Sequence, residues 1–386
     1  MKTTKLHILN LFLIIFFAAP SFAQKPEKIY GYAKVSKSNE YYLEQIELWK
    51  KEISKNSKNA DAWFNYYRAN RNAHLTSESQ TGKSHNRFER LKKIVDEMEK
   101  NVPNSFEFNF VKWMNGWNDP SLLPYLDKAY KLNPNSFEVL IDMATQAEIA
   151  RDFVNRDKYL NQWFDTGECS PGLLNYNYNV LSGLEPNAIV LTHGDNDTYP
   201  ILILQAKGYR KDVSLINLSL LYLKNYREKI FKEFGLPALS SDPLESEEGN
   251  KNFIENIIKI IAENKNQRPV YTALTLGENF TKSVSSNLYL TGLALKYSTS
   301  EMDNIAILKN NFENKMALDY LNFQFNVDIS QGIVKFINMN YLAPLVKLHE
   351  HYNLAGENAK AEKMKKLAML IAKDANREEE LKNYFK

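Results

Sequence analysis

The chain has a single cysteine, Cys169, among 386 residues. That excludes an intramolecular disulfide, and it excludes a zinc or iron–sulfur site built from several thiolates. Glycine is scarce, with only 14 residues, which argues against a large all-β fold with many tight turns. An excess of one charge is missing too: 49 lysines and arginines face 46 acidic residues, for a formal net charge of +3. Such a balance offers no basic footprint, so no nucleic-acid partner is expected. Beyond the first two dozen residues no apolar run is long enough to span a bilayer, and no transmembrane segment is expected in the mature chain. Neither a dinucleotide fingerprint nor a Gly-x-Ser-x-Gly elbow occurs.

What is present is globular: 44% hydrophobic and 25% charged residues, in a length that suits two or three domains. The amino terminus reads as an address. Lys2 and Lys5 precede an apolar run from Ile8 to Ala19, and Ser21-Phe22-Ala23 supplies a small-x-small cleavage site. A signal peptide over residues 1–23 is expected, and with it export to the periplasm or out of a bacterial cell. No cysteine follows the run, so a lipoprotein anchor is not expected. Loss of Lys2 and Lys5 would lower the net charge from +3 to +1. Cys169 has no histidine nearby in sequence to activate it and is expected as a packed thiol.

Three segments share a pattern: Lys58-Asn59-Ala60-Asp61-Ala62-Trp63-Phe64, Pro103-Asn104-Ser105-Phe106-Glu107 and Pro134-Asn135-Ser136-Phe137-Glu138. Each should start a helix, with Asn or Ser as cap and an acidic residue in the first turn. Between the copies, Phe88, Leu91, Ile94, Val95 and Met98 recur at helical spacing, as do Leu122, Leu123, Leu126 and Tyr130. Helix pairs repeating at about this period are the signature of tetratricopeptide-like solenoids, whose concave faces take a protein or peptide partner. The polar insert Ala73–Asn86 contains Thr81-Gly82-Lys83-Ser84, but Ser77 stands where a phosphate loop needs glycine, so a solvated loop is expected there.

From Asn187 the periodicity changes. Ala188–Leu191, Val213–Leu218 and Pro269–Leu274 read as buried strands, and Ile201–Ala206, with Pro200 in its first turn, and Phe253–Ala262 as helices. Leu288–Leu295 reads as an apolar helix or a helix-to-strand passage. The alternation predicts a parallel sheet with right-handed crossovers. The expected fold class is therefore α/β plus all-α: helical hairpins over 24–180, a central parallel-sheet, Rossmann-like α/β domain over 181–335, and a helical hairpin over 336–386.

Ligands of such sheets sit at the carboxyl ends of the strands. Those ends carry the candidate ligand-binding residues His193, Asp195, Asn196, Asp197 and Thr198 from the first strand, Asn217 and Ser219 from the second, and Thr275 and Glu278 from the third. Asp195 and Asp197 could also hold a divalent cation. Alternatively the loop is structural: Asp195 and Asn196 suit an Asx turn, and Asp197 or Thr198 caps the following helix. No catalytic residue and no other cofactor is indicated. His349-Glu350-His351 places its imidazoles on different sides of a helix, and His74 and His85 lack acidic partners at ligand spacing.

At Leu191-Thr192-His193-Gly194-Asp195-Asn196-Asp197-Thr198-Tyr199-Pro200 and Asp212–Leu221 the chain resembles a soluble region of a bacterial membrane-protein family, the protein-O-mannosyltransferase-like one, long a domain of unknown function. Arg268-Pro269-Val270-Tyr271-Thr272-Ala273 and Leu290-Thr291-Gly292-Leu293-Ala294 resemble its next landmarks. Asn340–Asp374 resembles its closing helical hairpin, with Gly356 at the turn and Ala359, Leu367 and Ala368 facing the core. His193 departs from the small or amide residue common in the family. The resemblance implies the accessory soluble module without the membrane-embedded transferase. Three functions are thus in play. The first is an exported non-catalytic binding protein for a protein or peptide and a polar ligand, for which a glycan is one candidate. The second is a metal-dependent enzyme of glycan or sugar-phosphate chemistry. The third is a structural scaffold.

Overall fold

A computed structural model describes residues 25–73, 84–239, 242, 244, 252–264, 268–323 and 327–385. The expected signal peptide, His74, Thr81-Gly82-Lys83 and most of the segment around 239–250 lie outside the described residues, as does the side chain of His85.

The first half is an array of helices: α1 (Asn39–Lys55), α2 (Ala60–Asn72), α3 (Ser84–Asn101), α4 (Phe106–Asn115), α5 (Leu123–Leu132), α6 (Phe137–Ala150), α7 (Phe153–Asp165) and α8 (Pro171–Ser182). The repeated segments start α2, α4 and α6. Asn59 accepts a hydrogen bond from the Ala62 N–H and Ser105 from that of Phe108, each satisfying a donor the first turn leaves open. Trp63, Phe64 and Tyr67 of α2 share one core with Leu91, Ile94, Val95 and Met98 of α3 and with Phe108, Phe110, Val111 and Trp113 of α4. Ahead of α1, residues 25–35 form a strap across α2, without regular structure through Gly31 and then turned over Tyr32, Ala33 and Lys34. Asn65 Oδ1 accepts from the Ile29 N–H at 2.7 Å, Arg68 donates to the Ile29 carbonyl, and Asn72 donates to that of Tyr30.

The second half contains β1 (Ile189–Thr192), α9 (Asp195–Ala206), β2 (Ser214–Asn217), α10 (Lys224–Glu233), α11 (Phe253–Ala262), β3 (Val270–Ala273), α12 (Glu278–Thr281), β4 (Leu288–Leu290) and β5 (Ala294–Tyr297). It closes with α13 (Asn304–Asn310), α14 (Gln331–Asn338), α15 (Leu342–Leu354), α16 (Asn358–Asp374) and α17 (Glu378–Lys382). The strand order is β2-β1-β3-β5-β4. β1 runs parallel to β2 and β3, whereas β5 is antiparallel to both β3 and β4.

This overturns the expected α/β class with a parallel, Rossmann-like sheet: the chain is mostly helical, around one small mixed sheet. The reason lies in Leu288–Leu295. Its apolar residues suit a helix or a strand equally on pattern alone. Only Thr291-Gly292-Leu293 separate β4 from β5, and a parallel crossover needs a dozen or more residues. Gly292 in that link lies against Met316, where a Cβ would come within 2.9 Å of the flexible Cε and Met316 would have to shift.

The sheet alternates its burial by the two-residue period of a strand. Val190, Leu215 and Tyr271 enter a core that runs from Ala144 in α6 to Leu381 in α17. Ile189, Leu191, Ile216 and Val270 enter a second core with α10 and α11. The array is joined to this second layer through Glu148, which is 2% exposed. It is clasped by Arg151 and by Arg156 at 2.8 Å, and Tyr226 Oη of α10 donates to it. Arg151 also pairs with Glu233 of α10 at 2.9 Å.

In the closing hairpin Gly356 turns with φ 73°, and Leu367 and Ala368 are buried as the resemblance implies. Ala359 is exposed, however, and Ala361 takes the core position. His349 ties α15 to α16 through the Ala361 carbonyl at 2.8 Å and meets Asn353 through its other ring nitrogen, so it is a packing residue.

Candidate functional site

The loop after β1 is shaped by its own hydrogen bonds. The helix starts at Asp195, earlier than Ile201–Ala206 predicts, so Pro200 lies within α9 and not at its start. Proline has no N–H for the carbonyl four residues back, that of Asn196. The buried Asn177 of α8 fills the vacancy, its Nδ2 donating to the Asn196 carbonyl at 2.8 Å. Gly194 is the cap residue, and Asp197 closes the turn. Asp197 Oδ1 accepts from the Gly194 N–H at 2.8 Å, and Oδ2 accepts from the His193 N–H at 3.3 Å and from Thr275 Oγ1. Burial pushes this carboxyl above its usual range, against the pull of the Thr275, His193 and Gly194 donors.

Most of the predicted ligand set therefore meets, but as a buttress. Thr198 is buried and joins the strand ends: its hydroxyl lies 2.8 Å from Thr192 Oγ1 and accepts from Asn217 Nδ2 at 2.8 Å. Ser219 donates to the His193 carbonyl at 2.7 Å, and the His193 ring packs on Phe280 with centroids 4.7 Å apart. Asn196 donates to the Ala33 carbonyl at 3.1 Å and so holds the strap. Glu278 stands exposed in the first turn of α12. A divalent ion would need Asp195 and Asp197 to converge, whereas residues two apart on a helix diverge, and Asp197 already faces N–H and O–H donors. Among the described residues no group of three or more His, Cys, Asp or Glu is placed to hold a metal.

Asp195 alone of the two aspartates points away from the buttress. It lies between two adjoining hollows on either side of Lys34 in the strap. The smaller hollow, about 90 Å³, is walled by apolar groups including Ile141, Trp163 and Tyr199. Cys169 borders it, and burial pushes its thiol up to about 12, which makes it a poor nucleophile. The larger cleft, about 250 Å³, is bounded by Arg71 of α2, Trp113 of α4, Trp117, Asp142 of α6 and Asp195. Asp195 reaches solvent at the mouth. The walls that crowd it and the nearby Asp197 raise its carboxyl above the usual range, while Arg71 opposes them.

Residues 174–256 match the family model described as TMEM260-associated domain 2. No curated protein matches the chain significantly. The TMEM260-associated domain 2 match covers most of α8 together with β1, the Asp195 loop, α9, β2 and α10, and it contributes Asp195 to the lining of the cleft. Arg71, Trp113, Trp117 and Asp142, like the rest of the described lining, come from the helical array and the strap outside it.

Those four residues escape a sequence reading centred on strand ends. Trp117 alone left a signal, a tryptophan inside the polar turn Gly116-Trp117-Asn118-Asp119-Pro120. Asp142 accepts from Trp113 Nε1 at 3.0 Å. Desolvation pushes its carboxyl up to about 7, helped by Asp195 and opposed by the Trp113 bond, Arg71 and Arg68. A folded pKa above the unfolded one means that the native state binds the extra proton. Stability from this group is full below the usual carboxylate pKa of ~4 and declines as pH rises toward about 7. Asp142→Asn keeps an acceptor for Trp113 and cannot ionise. Thermal unfolding should show it close to the parent at about pH 3 and more stable at about pH 8, by roughly 1–2 kcal/mol after allowance for solvent screening. Equal melting temperatures at both pH values would contradict this assignment.

Proposed function

We propose that the protein is an exported binding protein that holds a polar ligand in the cleft between the helical array and the Asp195 loop. The observation that carries this reading is the convergence of Arg71, Trp117 and Asp142 of the array on Asp195, the one acidic side chain of the loop that the loop's own bonds do not consume. A concave site with aromatic walls and a few convergent polar groups is the usual form of a small-molecule pocket. On the same reading the chain is an accessory module like the soluble part of the protein-O-mannosyltransferase-like membrane family, and the matched domain supplies Asp195 to its site.

A protein or peptide partner is proposed for the array. The α2 face supports it, since Asn65, Arg68 and Asn72 grip main-chain groups of the strap without regard to its side chains. Thermal shift with a panel of sugars, nucleotides, amino acids and inorganic anions tests the cleft. At least one class should raise the melting temperature of the parent chain. Asp195→Ala should retain the parent's fold and lose that rise. A panel that moves neither protein would sink the reading.

A further inference from the structure

Resting on the binding-cleft reading, we propose that the ligand is a neutral saccharide, with one ring face stacked on Trp117 and its hydroxyls bonded by Asp142, Asp195 and Arg71. The first ground is the platform. Trp117 is 55% exposed on the cleft wall, yet it is held firmly. Its backbone and that of Asn118 both lie in the left-handed region, with φ 52° and 64°. The Arg71 guanidinium lies 5.1 Å from the centre of its ring, and Phe88 meets it edge-on at 5.8 Å. Gln146 fixes Asn118 through a 2.9 Å hydrogen bond. A left-handed backbone at two successive residues that are not glycine is costly, and here it presents a large aromatic surface to solvent. The C–H face of a sugar ring is an apolar surface that fits such a platform, as aromatic and apolar faces fit one another generally.

The second ground is charge. Lys34, Arg68 and Arg71 line the cleft along with Glu138, Asp142 and Asp195, so the signs balance. Arg68 is already paired with Glu138 at 2.7 Å, and Lys34 with Glu168. A phosphate or carboxylate ligand calls for cations free to face it, and Arg71, which already donates to the Met114 carbonyl at 3.1 Å and to Tyr67 Oη at 3.3 Å, is a weak set on its own. A hydroxyl both donates and accepts, and so suits a carboxyl, a carboxylate and a guanidinium side by side. The third ground is size. A cleft of about 250 Å³ falls just below the ~300–1,000 Å³ of typical small-molecule pockets, and so suits one ring better than an extended chain.

The test is a titration of the full mature chain, followed by calorimetry and tryptophan fluorescence. The probes are the methyl glycosides and trisaccharides of glucose, galactose, mannose and N-acetylglucosamine, with sodium phosphate and an acetylated tetra-alanine amide beside them. At least one saccharide should bind with Kd below about 5 mM. Trp117→Ala should weaken it by about tenfold or more, with circular dichroism unchanged, and Trp117→Phe should restore most of the loss. No saccharide binding at ~10 mM, or binding indifferent to Trp117→Ala, overturns the proposal. If phosphate or the peptide binds instead, and Asp195→Ala abolishes it, the saccharide class falls while the cleft remains a binding site. Silence from every probe removes both.

Discussion

Asp197→Ala should lower stability by about 3 kcal/mol, whereas Asp195→Ala, two residues away, should change it by less than ~0.5 kcal/mol. The pair looks equivalent in the sequence and is opposite in the fold. Asp197 is 3% exposed, and its oxygens receive the His193 and Gly194 N–H groups and the Thr275 hydroxyl. Alanine would leave those donors facing a space that water does not readily enter, and each buried donor left unpaired costs ~1–3 kcal/mol. The loss would reach beyond the turn, because Thr275 connects it to the end of β3 and Thr198 connects it to β1 and β2. Asp197→Asn should recover part of the loss, since an amide oxygen can still accept from Gly194. Urea denaturation midpoints for the three variants give the check. An Asp197→Ala protein as stable as its parent would mean that the carboxylate is not the cap described above. One practical point follows: a double Asp195/Asp197 variant cannot report on ligand binding, because half of it reports on folding.

Glu148→Ala should cost about 3–5 kcal/mol, the range seen when one member of a buried ion cluster is removed. Glu148 faces two guanidiniums, and the side chains of Arg151 and Arg156 are each only 12% exposed. Without the carboxylate, Arg151 would keep Glu233 and Arg156 would keep Asp157, but both guanidiniums would lose their one fully buried partner. The exposed pair Lys92–Asp96, at 3.1 Å on α3, supplies the contrast, and breaking it should cost no more than ~0.5 kcal/mol. Since Tyr226 and Glu233 of α10 share the cluster, the damage should appear as a loosened joint between array and sheet. Hydrogen exchange in α10 should rise before exchange in α2 does. A loss below ~1 kcal/mol, or uniform exchange along the chain, would refute the role given to this glutamate.

The legible parts of the fold were those written in short-range chemistry. Asn59 and Ser105 announce their helices because a cap needs only a side-chain oxygen and the next turn. Ile189–Thr192 is recognisable because a strand buried on both faces must be continuously apolar. The direction of β5 was not legible, since it depends on how three residues reverse the chain against Met316, more than twenty positions away. The start of α9 was misplaced because proline ordinarily marks a first turn, and its exception is carried by Asn177 from another helix. For the site, the Asp195 loop stood out through its composition. The side chains opposite it did not, because Arg71 and Asp142 sit in helices where a charged residue most often means a solvated face. Only the packing of the array against the loop gives them a shared cleft.

The strap has a consequence for how the molecule is made. Ala33 accepts its hydrogen bond from Asn196, and Lys34 meets Glu168, at sequence distances of 163 and 134 residues. A chain is delivered amino terminus first, from a ribosome or from a translocation channel, so the strap arrives before Asn196 does. During that interval Ala33 and Lys34 have no docking place, and Tyr30 and Tyr32 stay beside them on a segment fastened at one end only. Ile29 and Tyr30 can settle on α2 early, whereas Ala33 and Lys34, a few residues on, are among the last to reach their final positions.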